Sequence, residues 1–492
     1  MGPAANARIH GFTVTGGGGY NWIYSRRAGG GCYVEGGELV ISNCLFTQNN
    51  VTPPLSAGGA IALHGAVAML EHCSFVENFA KEDGGAGEFL QSDVHIEDCT
   101  FVRNRIGFPG GLDGTADGGA IYSVDTNLFI ERCIFADHET KTDWYLPYFS
   151  FGGGICAWDG YLEVMDSRFV NGLATHGGAI WASGAAGSIN RTVFAQNRAI
   201  GTANEYHLIF PGEGGAVSWV SSSGNVNVTN STFVDNLAHY HIDSRAGDGA
   251  AILIGAEGFC GNNSIVENVG GPAVAIASRT VRWGYQLFHG NADGEYSRYG
   301  FIQPVDVMGV PEFVDPEERD YRITSGSKAL DVGHPDVVDL DGTRSDIGAH
   351  AIDQRYPVHA YISRSDSVLE LGETEEWSVT VDNILPESVV EEIRICLEKD
   401  GRQIRTVRRS LRLGPGQVWR GIVRFLVPAE LGQGTLTVSV LLGSGWEEEW
   451  RGHLVAATGG PGSESSKTEV QGYPLSPIRC VRPADAEQVS PM

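Results

Sequence analysis

The chain is short of basic charge. Against 60 aspartates and glutamates it carries 34 lysines and arginines, a formal net charge of −26. Binding nucleic acid needs a basic track that releases counterions, so nucleic acid is not an expected partner. The same field opposes polyanionic sugars such as pectate unless a metal bridges carboxylates on both sides. Long apolar runs are lacking too. None approaches 18 residues, so no transmembrane segment is expected. The nine cysteines include no CxxC and no Cys/His metal spacing. No nucleophile elbow, phosphate loop or metalloprotease motif occurs. The start lacks a basic-then-apolar secretion signal. Because Ala7-Arg8-Ile9-His10-Gly11-Phe12-Thr13-Val14 already reads as the interior of a coil, upstream coils and a signal are expected to be missing.

What is present is a period. A Gly-Gly pair is followed 17 residues later by Phe six times, from Gly29, Gly58, Gly84, Gly118, Gly152 and Gly177 to Phe46, Phe75, Phe101, Phe135, Phe169 and Phe194. A seventh copy, Gly214 to Phe233, is two residues longer, and a degenerate eighth runs from Asp248-Gly249 to Ile265. Fixed-length self-similarity marks a repeat architecture. Within each copy the apolar runs are a few residues long and bounded by glycine or polar corners, which suits strands and not helices. Every copy runs in the same order, so like positions stack on like positions in a parallel coil of strands. About nine rungs at roughly 4.8 Å each predict a rod on the order of 40 Å long.

Stacking predicts columns. The Phe residues are expected inside, ring on ring. Two residues before them lie Cys44, Cys73, Cys99 and Cys133, then Ser167, Thr192 and Ser231. Neighbouring rungs bring such cysteines within disulfide range, while replacement by Ser and Thr favours small, buried free thiols. Three residues after the Phe lie Asn49, Asn78, Asn104, Asn197 and Asn236, with His138 and Gly172 as exceptions. Asn is expected at a corner there, tolerating left-handed backbone and bonding along the stack.

The GGAI and FxxN elements, as in Gly58-Gly59-Ala60-Ile61 and Phe75-Val76-Glu77-Asn78, resemble the repeats of polymorphic outer-membrane proteins and of right-handed parallel β-helix proteins. The resemblance implies an all-β chain whose residues 1–301 form a right-handed parallel β-helix of the pectin-lyase-like kind. It does not choose an activity, because that fold hosts lyases, glycosidases, adhesins and proteins without chemistry. Residues 302–354, with Asp339-Leu340-Asp341-Gly342-Thr343-Arg344-Ser345-Asp346-Ile347-Gly348-Ala349, resemble the segment that closes bacterial secreted β-helices. His350-Ala351 stands where that segment usually ends in an aromatic and an acid. Asp339, Asp341 and Asp346 allow calcium, but His350 sits where an EF-hand loop needs an acid. Turn chemistry is the preferred reading, and no cofactor is expected to be required. Residues 355–457 hold seven short alternating strands and predict an immunoglobulin-like sandwich. Residues 458–492 read as a tail.

Function is expected on one side of the solenoid. Loops between a Phe and the next Gly-Gly vary in length, and insertions at one phase emerge on one face. Residues 105–117 and 138–151 are long, 172–176 short, and 198–213 and 237–247 long again, which predicts a saddle. Asp143, Trp144, Tyr145 and Tyr148 would form one wall, Glu205, Tyr206, His207 and Tyr240 the other, and His176 part of the floor. Aromatic faces stack on sugars and acids bind hydroxyls, so the expected ligand is an extracellular polysaccharide or cell-surface glycan. The expected protein is a secreted or cell-surface monomer that binds without chemistry. The alternative is a polysaccharide lyase or glycoside hydrolase with Asp143 and Glu205 as its carboxylate pair.

Overall fold

The computed structural model describes residues 6–22, 26–51, 55–107, 116–140, 149–203, 209–221, 224–240, 247–364, 368–370, 372–399, 402–431 and 434–455. Each turn of the repeat contributes one strand to each of four parallel sheets. The second repeat gives Ile61–His64 to sheet one, Val67–Glu71 to sheet two, Ser74–Val76 to sheet three and Phe79–Ala80 to sheet four. Sheets one and two have ten strands each, sheet three eleven and sheet four eight. Strand order follows chain order, with each strand beside its counterpart in the next repeat, except that in sheet four Ile209–Phe210 pairs antiparallel with Arg198–Ala203. This is a parallel β-helix. The stacking continues beyond the last recognisable Gly-Gly pair, since Ser264–Val266 pairs with Leu287–His289 and that strand with Val307–Met308.

The two glycines of each pair serve different purposes. The first has φ between +60° and +71° in all seven pairs, and Gly249 of the degenerate copy has +67°, which an L side chain adopts only at a cost. The second has no room: a Cβ on Gly59 would lie 2.1 Å from the carbonyl oxygen of Gly85 on the next rung. The pair is also bonded along the rod, with the Gly58 amide donating to the Asp83 carbonyl and the Gly59 amide to that of Gly84.

Inside, the Phe column is continuous. Ring centroids from Phe46 through Phe75, Phe101, Phe135, Phe169 and Phe194 to Phe233 are 4.6–5.2 Å apart with interplanar angles of 2–13°. Ile265 and then Phe288 extend the column in register.

The Cys column is a file of free thiols. Small size is only part of its role. The amide of Cys73 donates to the sulfur of Cys99, that of Cys99 to Cys133, and that of Cys133 to the Ser167 hydroxyl. Each sulfur or hydroxyl also donates to a carbonyl two residues earlier, as in Cys99 to Glu97 and Ser167 to Met165. A small side chain that both accepts and donates is required, which is why Ser and Thr substitute.

The Asn column bonds along the stack, but its backbone corrects one expectation. The left-handed residue is the one before the Asn position: Gln48, Glu77, Arg103, Asp137, Asn171, Gln196 and Asp235 have φ of 50–59°. Each Asn instead accepts from the preceding rung and donates back to it. The Asn49 amide and carboxamide both donate to Asn78 Oδ1, and the Asn78 pair does the same to Asn104. The ladder resumes from Asn197 through Asn236 and Asn268 to Asn291. At the break, His138 Nδ1 bonds the Asn104 carbonyl at 3.2 Å, and its Nε2 has no partner among the described residues. Burial pushes the imidazole down to about 4.

One compact unit comprises residues 1–311, 331–338 and 344–351, the other 312–330, 339–343 and 352–492. In the first, the Gly348 amide donates to the Asn262 carbonyl and the Ala349 amide to Thr232 Oγ1, so this stretch lies on the flank of the rungs. The second contains a two-sheet sandwich. One sheet orders Val358–Ser363, Thr374–Asn383 and Val418–Leu426. The other orders Val368–Glu370, Glu447–Val455, Gly434–Leu442, Val389–Lys399 and Arg402–Leu413, the last at the edge. Trp377, Phe425 and Trp450 pack at its centre. Asp341 takes the Thr343 and Gln354 amides and Asp346 the Asp331 amide, as turn carboxylates do.

Two stability outcomes follow. Phe135→Ala removes one ring from the stack and is expected to cost ~3–5 kcal/mol, read from the urea midpoint. His138 takes its proton near 6.5 when unfolded and near 4 when folded. Its contribution is therefore present above pH 6.5 and is lost as pH falls towards 4. The wild type should lose ~2 kcal/mol more than His138→Asn between pH 7 and 5, the variant restoring a ladder amide. Equal losses would refute this account of His138.

Candidate functional site

The pre-glycine position of the repeat makes a column of its own on the outside of the rod. Isolated bridges and one short strand pair link Ala57, Asp83, Asp117, Phe151, His176, Glu213 and Asp248 in parallel register. From Asp83 the order is acid, acid, ring, ring, acid, acid. Because of the glycine bend, this column lies beside the second residue of each sheet-one strand. A Cβ on Gly214, for example, would lie 2.7 Å from that of Ser218. Those second residues include Glu88, Tyr122, Cys156, Trp181 and Ser218, also in register.

The two columns build an aromatic shelf on two adjacent rungs. Phe149, Phe151 and Trp158 come from one, His176 and Trp181 from the next. Trp181 packs against Phe151 at 4.4 Å and against Trp158 at 4.5 Å. His176 lies 5.3 Å from Phe151 and 5.5 Å from Phe149. Phe149, Phe151, Trp158 and His176 are half-buried, so their faces remain partly available. The Thr175 hydroxyl donates to the Ser150 carbonyl, so His176 Nδ1, 3.0 Å from that hydroxyl, is the donor in their bond. That leaves Nε2 as an acceptor. Burial pushes the His176 imidazole down to about 4, so it is neutral at pH 7.

Acids flank the shelf. On one side Asp83 and Asp117 occupy adjacent rungs, and Glu88 bonds His64 Nε2 at 3.1 Å, whose Nδ1 lies 3.3 Å from the Tyr33 hydroxyl. The Cys156 thiol is pushed well up by burial and by the charges of Asp117 and Asp83. On the other side Arg298 bonds both Glu213 and Asp248, and the Ser297 hydroxyl bonds Asp248. Burial still pushes the Glu213 carboxyl up, Asp248 adding to this against the pull of Arg298.

Separation and exposure decide what this arrangement can do. Asp117 and Glu213 stand three rungs apart, roughly 14 Å along the rod, beyond the reach of a two-carboxylate mechanism. Asp83 and Asp117 are one rung apart, but Asp117 is only 4% exposed and Glu88 0%. Asp117 and Glu88 are thus inside the wall, while Asp83, Glu213 and Asp248 are half-buried, as are Phe151, Trp158 and His176. Among the described residues no cluster of three or more His, Cys, Asp or Glu could hold a metal.

Of the residues expected from sequence, His176 sits on the shelf. Asp143, Trp144, Tyr145, Tyr148, Glu205, Tyr206 and His207 lie outside the described residues. Tyr240 is placed by its backbone alone, opposite Gly201. Sequence reasoning missed Phe151, Trp158 and Trp181 and, among the flanking acids, Asp83, Glu213 and Asp248. Their signal was available in the residue before each glycine pair and in the strand that follows it.

A family model for a right-handed beta helix region matches residues 6–164, so the fold is a right-handed parallel β-helix. The chain is similar to two proteins of Dictyostelium discoideum. It is 29% identical over 119 residues to metabotropic glutamate receptor-like protein P, covering 24% of this chain and 8% of that one. It is 23% identical over 279 residues to metabotropic glutamate receptor-like protein R, covering 55% of this chain and 15% of that one. The chain therefore spans only a small part of those relatives. Among solved structures, a beta-glucosidase from Listeria innocua is 18% identical with a TM-score of 0.17, over 20% of this chain and 16% of that one. An alkylpurine DNA glycosylase from Pseudomonas fluorescens is 16% identical with a TM-score of 0.18, over 20% and 31% respectively. Among the described residues no helix is long and apolar enough to cross a membrane.

Proposed function

We propose that this is a secreted or cell-surface β-helix protein that binds a glycan on the aromatic shelf without chemistry. The observation that carries the reading is the grouping of Phe151, Trp158 and His176, half-buried with their faces partly available, against the buried Trp181 on two adjacent rungs flanked by acids. Ring faces offer C–H stacking to sugars, and the neutral His176 Nε2 offers an acceptor to a hydroxyl. The resemblance of the GGAI and FxxN elements to polymorphic outer-membrane protein repeats supports a surface location. A shelf two rungs wide, roughly 10 Å, fits one or two sugar rings of a longer chain.

A second reading is supported by Asp83 and Asp117 on adjacent rungs beside Cys156. In a glycoside hydrolase or polysaccharide lyase they would be the acids nearest the shelf. Their burial weighs against it.

Titration calorimetry with neutral and uronate oligosaccharides tests both. Binding by the wild type and at least a tenfold loss in Trp158→Ala, ~1.4 kcal/mol, are expected, with no release of reducing ends or unsaturated uronate. No binding by any sugar in the panel would overturn the first reading. Product release that Asp117→Asn abolishes would move the function to the second.

A further inference from the structure

The sandwich carries the reverse of the chain's overall charge. Residues 401–429 hold seven arginines and no lysine, aspartate or glutamate, within a chain whose net charge is −26. Five of them, Arg402, Arg405, Arg408, Arg409 and Arg412, lie on the single strand Arg402–Leu413. That strand is the edge of its five-stranded sheet, and all five arginines are exposed. Over ten residues they span roughly 34 Å.

Two of the seven guanidiniums are held by the protein. Arg424 pairs with Glu376, and Arg420 donates to the carbonyls of Val314 and Phe313. The five on the edge strand have no ion pair among the described residues. Arg394 on the neighbouring strand stands directly opposite Arg408, and Val390, 69% exposed, stands opposite Arg412. Like charges facing one another across a sheet are destabilising. The acids in that cross-strand run on the outer face are Glu392, opposite Ser410, and Glu398, opposite Gln403 at the far end of the strand. The arrangement therefore costs stability in the free protein and would be relieved by an anion lying along the edge.

We propose that this edge is a binding site for an anionic polysaccharide, separate from the aromatic shelf. The strand is extended, and its arginines line both sides of the edge: Arg408 and Arg412 stand on the outer face, opposite Arg394 and Val390, and Arg405 and Arg409 on the other, opposite Leu397 and Ile393. Within each pair the spacing is four residues, roughly 14 Å, which suits charges spaced along a sugar chain that lies on the edge between them. The strand has no aromatic residue to stack a nucleobase. Arginine forks match carboxylates and sulfates with two bonds each. Repulsion from distant acids does not prevent contact, because charges beyond about 8 Å are screened at physiological salt. The expectation drawn from net charge, that polyanionic sugars are repelled, does not hold locally.

The test uses the full chain with polygalacturonate and dextran sulfate, neutral dextran as control, and single-stranded DNA of matched charge. Binding to both anionic polysaccharides but not dextran is expected, weakening at least tenfold from about 50 to 200 mM NaCl. The quadruple variant Arg405→Gln, Arg408→Gln, Arg409→Gln, Arg412→Gln should lose at least tenfold in affinity with an unchanged circular dichroism spectrum. The corresponding quadruple Lys variant should retain most of it. Trp158→Ala should bind these polymers as the wild type does, which separates this site from the shelf. No binding by the wild type, or equal binding by the Gln variant, would mean that the arginines only keep the edge from pairing with other strands. Equal or tighter binding of the DNA would overturn the choice of polysaccharide.

Discussion

Everything on this rod depends on each turn closing over the last one at the same point. The glycine pair enforces it twice, through a left-handed φ at the first position and a carbonyl of the next rung 2.1 Å from where a Cβ would sit at the second. A turn that cannot drift in register puts every equivalent side chain in one file. The Phe file then gains ring stacking at each step, and the amide and thiol files satisfy corner N–H groups that would otherwise be buried without partners. The same rule acts outside. A residue type placed before the glycines in successive repeats becomes a surface column without any further design.

The interior files and the outer column are linked. The Asn ladder breaks at His138 and Gly172, and the strands that follow lead directly to Phe151 and His176. The two turns that give up the ladder are the two that place rings before the glycines. At His138 the cost is concrete: a buried imidazole held far below its ordinary value with one nitrogen unpartnered. Local rules are broken together on neighbouring turns, which is why the proposed shelf is sought there.

Much of the fold was legible because period and composition act on every rung alike. The Phe and Cys files, the parallel sense and the sandwich strands all follow from spacing. What spacing alone did not reveal was hydrogen-bond direction. Asn was assigned the strained corner, but its neighbour takes the positive φ and the carboxamide does the bonding. The thiols passed as small apolar groups, yet they accept amide hydrogens. The proposed shelf was legible in part: loop length pointed to the turn that carries His176, while seven of the residues expected beside it lie outside the described ones. Phe151, Trp158 and Trp181 were missed, because attention to inserted loops passes over residues within the regular repeat.

Charge shows the same limit. A net −26 averages over a chain in which 29 consecutive residues hold seven arginines and no acid. Averages govern what happens beyond a Debye length, such as solubility and long-range encounter. Contact is governed by the few ångströms around each group. There the edge strand presents paired guanidiniums and the shelf presents rings between carboxylates. A neutral sugar face would prefer the shelf, and a sulfate or uronate the edge. Under the two proposals, stacking chemistry lies on the solenoid and charge chemistry on the sandwich.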